Sequence, residues 1–144
     1  WRVSTPGNVT FNYDMGFYAM DPPGFCQDDR FSPTTTPSSA LKLSNEVGFV
    51  TRLKICPGGE DWFKINAEAF NELYVYVYGF SDEEALTARL VQIDDNVQSI
   101  VVEGEPTSNG VELLYLPEEN REYFIQVMGA PGAVHHYDLV IGID

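Results

Sequence analysis

The sequence predicts an all-β fold, an antiparallel β-sandwich or barrel with eight or nine short strands. Apolar and polar residues alternate over many short segments, turn residues rich in Gly and Pro separate these segments, and no segment forms a convincing long helix. Because side chains on a strand point alternately to opposite faces, such segments are typical of strands that bury one face. Many short strands between turns favour a sandwich or a barrel.

Length and charge limit the classes of function. A chain of 144 residues suits one domain with a sizeable core. The net charge is −14 and only 8 residues are Lys or Arg, so we expect no nucleic-acid partner, because phosphate binding needs clustered basic side chains. No apolar run reaches the roughly 18 residues of a membrane helix, so we expect no membrane insertion. The chain starts at Trp1 without a signal peptide, and we expect a processed or excised form whose export signal has been removed.

The first predicted strand covers residues 9–17 and lies ahead of the first cysteine. Its apolar face consists of Val9, Phe11, Tyr13, Met15 and Phe17. The turn sequence Asp-Pro-Pro-Gly at residues 21–24 separates this strand from the rest of the chain. We therefore predict an N-terminal arm, residues 1–25, and a sandwich domain, residues 26–144. A strand outside the domain needs a sheet edge, and either its own sandwich or that of a neighbouring subunit could supply one.

The two cysteines, Cys26 and Cys56, each lie beside turn residues. Two cysteines do not make a structural zinc site without further ligands. We expect a disulfide, which would indicate an oxidising compartment. The alternative is a pair of reduced, buried thiols.

A strong strand signal covers residues 73–78. Leu73, Val75 and Val77 share one face, and we expect that face in the core. The opposite face carries Tyr74, Tyr76 and Tyr78. Three interpretations stay open for this tyrosine face: an ordinary outer surface, a binding platform, or a surface covered by another segment.

The remaining elements come in chain order. Residues 26–39 read as a loop and residues 39–44 as one helical turn. Residues 86–93 change the phase of their alternation, which predicts a bulge near Leu90 that resets the register. The region 103–110 is predicted as a turn. The other strands are predicted at residues 47–55, 60–65, 99–102, 111–116, 122–128 and 137–143.

Catalytic motifs are absent from the sequence. It contains no Gly-x-Ser-x-Gly elbow and no His-Glu-x-x-His motif. His135 and His136 are adjacent, so on a strand they face opposite ways, and we expect both at the surface of a strand end. The paired acidic residues lie at strand edges or turns, where solvated charge is expected. We therefore predict that the protein is not an enzyme.

Ordered pieces of the sequence match a known pattern from Cys26 onward. The residues Cys26-Gln27-Asp28-Asp29 come first, followed by Ile55-Cys56-Pro57-Gly58 and Glu60-Asp61-Trp62-Phe63. An aromatic strand, REYFIQV at residues 121–127, and a closing strand, YDLVI at residues 137–141, complete the series. In this order, residues 26–144 resemble the bacterial pre-peptidase C-terminal domain family, which is related to the collagen-binding domains of clostridial collagenases.

The resemblance implies a secreted, jelly-roll-like sandwich without catalysis of its own. Some relatives bind calcium near an acidic loop and grip a polymer with surface tyrosines. Carried over, this makes Asp28, Asp29 and Asp61 calcium candidates, with calcium as the one candidate cofactor, and Tyr74, Tyr76 and Tyr78 a candidate binding face. Ser32, Thr34 and Thr35 stand where the family usually has Glu, Asn and Asp, which removes three of the expected calcium ligands.

Two functions are suggested by these observations. We expect a secreted, non-catalytic protein of extracellular or cell-surface assemblies, whose arm strand adds to the sheet of a neighbouring subunit, as in a filament or surface layer. The alternative is an accessory domain of a secreted bacterial peptidase that binds substrate or polymer through the tyrosine face. The expected partners are accordingly other copies of the chain or an extracellular protein or polymer.

Overall fold

Two five-stranded β-sheets pack face to face in the computed structural model, which describes residues 26–27, 29–31, 33–44, 48–79 and 86–143. The ten strands are β1 (Leu41–Lys42), β2 (Gly48–Ile55), β3 (Glu60–Ala67), β4 (Leu73–Gly79), β5 (Thr87–Asp94), β6 (Val97–Glu103), β7 (Glu105–Thr107), β8 (Gly110–Tyr115), β9 (Arg121–Met128) and β10 (His135–Ile143). The predicted all-β class is confirmed.

The strand order is β1-β3-β9-β5-β6 in the first sheet and β2-β10-β4-β8-β7 in the second. Each pairing is antiparallel except that of β1 with β3, which is parallel. The chain changes sheets at most of its connections, because β1, β3, β5, β6 and β9 belong to one sheet and the rest to the other. This arrangement confirms the predicted antiparallel sandwich, with one parallel pair added.

The core lies between the two sheets and is built from the inward residues of both. Leu73, Val75 and Val77 of β4 are at most 1% exposed, which confirms that this face belongs to the core. Facing them from the first sheet are buried residues of β3 and β9, such as Phe63 and Ile125. Each such side chain stabilises the fold by about 1.5–3 kcal/mol through its removal from water.

The pairing of β5 with β6 has the expected irregularity near Leu90, but the extra residue is Val101 of β6 and the consequence differs from the prediction. The register of β5 with β6 shifts between Leu90 and Val91. The pairing of β5 with β9 stays regular, so Leu90 faces the core while Val91 faces outward. The phase is therefore not reset. Val91 instead packs with Trp62 and Ala40 in a second, smaller apolar cluster.

Two short strands lie where the sequence predicted other structure. The helical turn expected at residues 39–44 is wrong, because a 3₁₀ helix covers Pro37–Ser39 and β1 follows it. Thr36 caps this helix and Pro37 begins it, which are the residue types favoured at those positions. The predicted turn at 103–110 contains β7, a three-residue edge strand that includes Pro106; proline is tolerated at such an edge.

Residues 1–25 lie outside the described part of the chain, and so does the strand predicted at residues 9–17. The division of the chain after residue 25 therefore stays a prediction. Within the described residues, no helix has the length and apolar character needed to span a membrane.

Candidate functional site

The tyrosine face lies on the outer surface of the second sheet, where β4 is the central strand. Tyr78 is 37% exposed, and Tyr74 and Tyr76 are half-buried. The rings of Tyr76 and Tyr78 lie 6.1 Å apart at an interplanar angle of 50°. The hydroxyl of Tyr76 shares a hydrogen bond of 3.1 Å with the hydroxyl of Thr107 on β7. The structure therefore brings the three predicted tyrosines together at the surface of the sandwich.

Apolar side chains of the neighbouring strands extend this surface. Leu114 of β8 lies opposite Tyr74, and Val140 of β10 lies opposite Tyr76. One strand further, Phe49 of β2 lies opposite Val140. Phe49 is 70% exposed and Leu114 is 51% exposed. Aromatic and apolar side chains of this kind are typical of contact surfaces, since they bury much area when a partner covers them.

The polar neighbours of the tyrosine face are mainly acidic. Glu112 lies opposite Tyr76 and Asp138 lies opposite Tyr78. Burial, and secondarily the negative charge of Glu112, raise the pKa of Tyr74 above its usual value. A tyrosine with its usual pKa near 10 is already protonated at neutral pH, so the Tyr74 hydroxyl is a neutral group close to the carboxylate of Glu112.

Gly110 is the residue of β8 next to Tyr78, and it brings no side chain to the tyrosine face. It faces Tyr78 across the pair of β4 and β8. A Cβ atom at this position would lie 1.8 Å from the carbonyl oxygen of Val77. Only glycine fits this close approach of two backbones, so no side chain at this position of β8 covers the ring.

A groove of about 330 Å³ forms the second surface feature. It lies between β1 and β2, which are edge strands of the two sheets among the described residues. Arg30 and Lys42 contribute its basic side chains. Its apolar lining consists of Phe31, Leu41, Leu43, Phe49, Val50 and Ile141. Sequence reasoning missed this groove, because a strand as short as β1 has no periodicity to detect.

The disulfide between Cys26 and Cys56 is present, with its Cα atoms 5.8 Å apart. Cys56 directly follows the last residue of β2. Asp29 fixes the same region, because its carboxylate accepts hydrogen bonds of 2.8 Å from the backbone N–H of Phe31 and 2.9 Å from that of Lys54. Residue 26, where the predicted arm joins the sandwich, is therefore held at the C-terminal end of β2.

Asp61 is buried, being 7% exposed, and it organises one end of the core. Its carboxylate accepts a hydrogen bond of 2.8 Å from the Thr34 hydroxyl and one of 2.7 Å from the Tyr137 hydroxyl. Burial, followed by the negative charge of Asp61, raises the pKa of Tyr137 well above its usual value. These bonds offset the cost of removing the carboxylate from water.

The carboxylates proposed for calcium have structural partners. Asp29 and Asp61 accept hydrogen bonds from Phe31, Lys54, Thr34 and Tyr137, and Asp28 lies outside the described residues. The described part of the chain brings together no group of three His, Cys, Asp or Glu side chains that could hold a metal ion. Calcium prefers six to eight oxygen ligands, and in the described part of the chain the oxygens of Asp29 and Asp61 accept hydrogen bonds from the protein. The calcium site stays a prediction.

The two histidines face opposite ways, as expected, but His135 is not at the surface. It is 2% exposed, and its Nε2 accepts a hydrogen bond of 3.0 Å from the backbone N–H of Ala130. His136 is exposed. The tight turn after β9 brings Ala130 onto the ring, which sequence spacing did not indicate.

The assembly residues predicted in the arm, from Val9 to Phe17, lie outside the described residues. Nothing in the structure places them relative to the groove or to the tyrosine face. Their role stays a proposal.

Comparison with known proteins gives matches at the level of structure. No family model and no curated protein matches the sequence. Among solved structures, the pre-peptidase C-terminal domain of a Bacillus anthracis collagenase superposes with a TM-score of 0.55 at 14% identity, over 73% of this chain and 94% of that one. The protein shares the fold of that domain. At this identity the likeness concerns the fold alone.

A second neighbour is PliG from Aeromonas hydrophila, a periplasmic inhibitor of g-type lysozyme. It superposes with a TM-score of 0.55 at 12% identity, over 73% of this chain and 97% of that one. One sandwich fold thus serves both as a domain of a collagenase and as an enzyme inhibitor. Function on this fold is set by the surfaces that each chain presents.

Proposed function

We propose that the protein is a secreted, non-catalytic β-sandwich that assembles with other copies of itself through its N-terminal arm. One observation carries the proposal: within the described residues, all ten strands and every buried apolar residue come from residue 40 onward. These residues by themselves form two five-stranded sheets. An additional amphipathic strand of nine residues needs a further sheet edge to cover its apolar face.

Secretion is supported by the disulfide and by the structural neighbours. Disulfides persist in oxidising compartments and are rare in the reducing cytosol. The neighbours are a domain of a collagenase and a periplasmic inhibitor. Membership of the pre-peptidase C-terminal domain family, which the sequence pieces indicate, is part of this proposal.

A non-catalytic role is supported by the hydrogen bonds of two buried titratable side chains, Asp61 and His135. Asp61 is held between two hydroxyl groups, and the Nε2 atom of His135 is occupied by a backbone N–H. A general acid or base must reach a substrate proton within hydrogen-bonding distance. Both side chains are instead committed to the fold, whereas the tyrosine face and the groove are suited to contact.

Deletion of residues 1–22 tests the assembly proposal. The full chain is expected to form oligomers or filaments in electron micrographs and to elute early in size-exclusion chromatography. The deleted chain is expected to elute as a monomer with an unchanged circular dichroism spectrum, since Cys26 and the ten strands are kept. A full chain that elutes as a monomer would contradict the proposal.

A matched pair of arm variants refines this test. Phe11→Asp places a charge on the apolar face predicted for the arm, and Asn12→Asp places the same charge on its polar face. Phe11→Asp should abolish assembly, because a buried charge without a partner is costly. Asn12→Asp should leave assembly intact. Equal behaviour of the two variants would show that the arm does not act as a half-buried strand.

Binding of a polymer or protein by the tyrosine face is the second candidate. It is favoured by the exposure of Tyr78, Phe49 and Leu114 on one outer surface. Tyr76→Ala should weaken co-sedimentation with insoluble polymers such as collagen or peptidoglycan, with a nearly unchanged melting temperature. The matched control is Ile100→Ala, since Ile100 is 50% exposed on β6 of the other sheet. A large loss of stability in Tyr76→Ala would indicate that the tyrosine face stabilises the fold and is not a binding surface.

A further inference from the structure

We propose that the groove between β1 and β2 accepts residues 9–17 from a second copy of the chain, antiparallel to β2. The incoming segment would become the sixth strand of the second sheet. This inference rests on the assembly proposal and adds the receiving surface, the direction of the incoming strand and the source of the arm.

The four sheet edges of the described residues differ in what they offer a new strand. Strands β1 and β7 have two and three residues, which is too short to pair with a strand of nine. Strand β6 has seven residues and β2 has eight. Only β2, of these two, borders the groove between the sheets. An added strand there would pair with residues 48–51 of β2, which border the groove, because the backbone N–H of Lys54 further along is already bonded to Asp29. Its inward side chains would be buried in the groove.

The lining of the groove fits the apolar face of the arm. Phe31, Leu41 and Val50 are partly buried and pack against the main core, so the groove opens directly onto that core. The arm carries large apolar side chains at alternate positions, Phe11 and Phe17 among them. Because alternate side chains of a strand share one face, these would enter the groove together.

Charge also fits, because the groove is basic within an acidic protein. Arg30 and Lys42 line it, and the whole chain has only 8 Lys and Arg against 22 Asp and Glu. The polar face predicted for the arm contains Asp14. A carboxylate at the rim of a groove with two basic side chains favours docking and its orientation.

The direction of pairing identifies the source of the arm. Every pairing in the second sheet is antiparallel among the described strands. An antiparallel arm would place residue 17 beside Gly48, at the N-terminal end of β2, whereas Cys26 is bonded to Cys56 at the other end. Eight residues of strand are about 26 Å long, and the nine steps from residue 17 to residue 26 reach at most about 32 Å when fully extended.

The chain's own arm could therefore reach this position only if residues 17–26 were almost fully extended. That connection would run along the same groove that the arm has to fill. An arm from a second copy has no such constraint. Each chain would then offer one arm and accept one arm, so that the contact is head to tail. Repetition of such a contact gives a ring if it closes and a filament if it does not.

Complementation between two full-length variants tests this inference. Phe11→Asp disables the arm and keeps the groove. Phe49→Lys places a charge at the outer rim of the groove and keeps the arm; because Phe49 is 70% exposed, this variant is expected to fold. Val50→Lys is a second groove variant. The control is Val97→Lys, on the edge strand β6, where Val97 is 65% exposed.

Mass is measured by light scattering after size exclusion, with melting temperatures recorded for each variant. Each disabled variant alone should be a monomer, their equimolar mixture should form dimers, and Val97→Lys should assemble like the unmodified chain. Groove variants that still assemble would overturn the receiving site. A mixture that stays monomeric would overturn the second copy as the source of the arm. Both results leave assembly itself standing, whereas an unmodified chain that is monomeric overturns both proposals.

Discussion

Replacement of Tyr137 by Phe should destabilise the fold by removing one hydroxyl group. The ring is fully buried, and its hydroxyl donates a hydrogen bond of 2.7 Å to Asp61. Hydrogen bonds to charged groups contribute about 1.5–3 kcal/mol to stability. Since Thr34 still donates to the other carboxylate oxygen, we expect a loss of about 2 kcal/mol in the free energy of unfolding. For a chain of this length that lowers the melting temperature by roughly 6–8 °C.

The assay is urea and thermal unfolding at pH 7, followed by circular dichroism. The control is Tyr76→Phe, because the hydroxyl of Tyr76 bonds to Thr107 at an exposed site, and its removal should cost less than about 0.5 kcal/mol. A double-mutant cycle with Asp61→Asn isolates the pair. If Tyr137→Phe unfolds at the same urea concentration as the unmodified chain, the bond to Asp61 does not stabilise the fold and the reasoning fails.

Three further predictions concern stability. Replacing Cys26 and Cys56 together by Ser opens a loop with a sequence separation of 30. In the chain-entropy account this should lower the free energy of unfolding by about 3.5 kcal/mol. Denaturation with and without reductant measures the loss, and a midpoint that does not change with reductant would contradict it. Leu139→Ala truncates a fully buried side chain and should lower the free energy of unfolding by about 2–5 kcal/mol. The control is Leu114→Ala, at an exposed position, which should lower it by less than about 0.5 kcal/mol. Similar losses for the two variants would place Leu139 outside the core. Burial, followed by the hydrogen bond to Tyr115, raises the pKa of Tyr123 to about 12. A tyrosine in the unfolded chain ionises near pH 10. The stability linked to this shift is therefore fully present below pH 10 and is lost as the pH rises towards 12. Melting temperatures recorded from pH 8 to pH 12 should fall above pH 10, and a constant value would contradict the shift.

The sequence predicted the strands well where alternation was regular. In β4, Leu73 and Val77 face the core and Tyr76 faces outward, because a period of two leaves no other choice once one face is apolar. The same periodicity failed at β5. There Val91 is apolar but faces outward, because a second cluster around Trp62 buries it on the outer side of the sheet. The alternation of apolar residues indicates that a side chain is buried, but it does not indicate which neighbouring residues bury it.

The candidate site was predicted in part. The tyrosine face follows from alternation, and the disulfide follows from two cysteines beside turns, whereas the groove depends on two strand edges that only the fold brings together. Asp61 suggested a metal ligand in the sequence, but in the fold its oxygens accept hydrogen bonds from Thr34 and Tyr137, which are 27 and 76 positions away along the chain.

The sequence by itself determined the local features of the described part of this protein: short alternating strands and a tyrosine face on one of them. These features depend on neighbouring residues, which the chain order fixes. The strand predicted at residues 9–17 stays a prediction. Only the tertiary structure decided that β2, among the described strands, is an edge strand beside the groove, that Cys26 is held at the C-terminal end of that strand, and that His135 is buried. Such features arise from contacts between residues distant in the chain, and the geometry of sheet packing, which no local pattern contains, sets them.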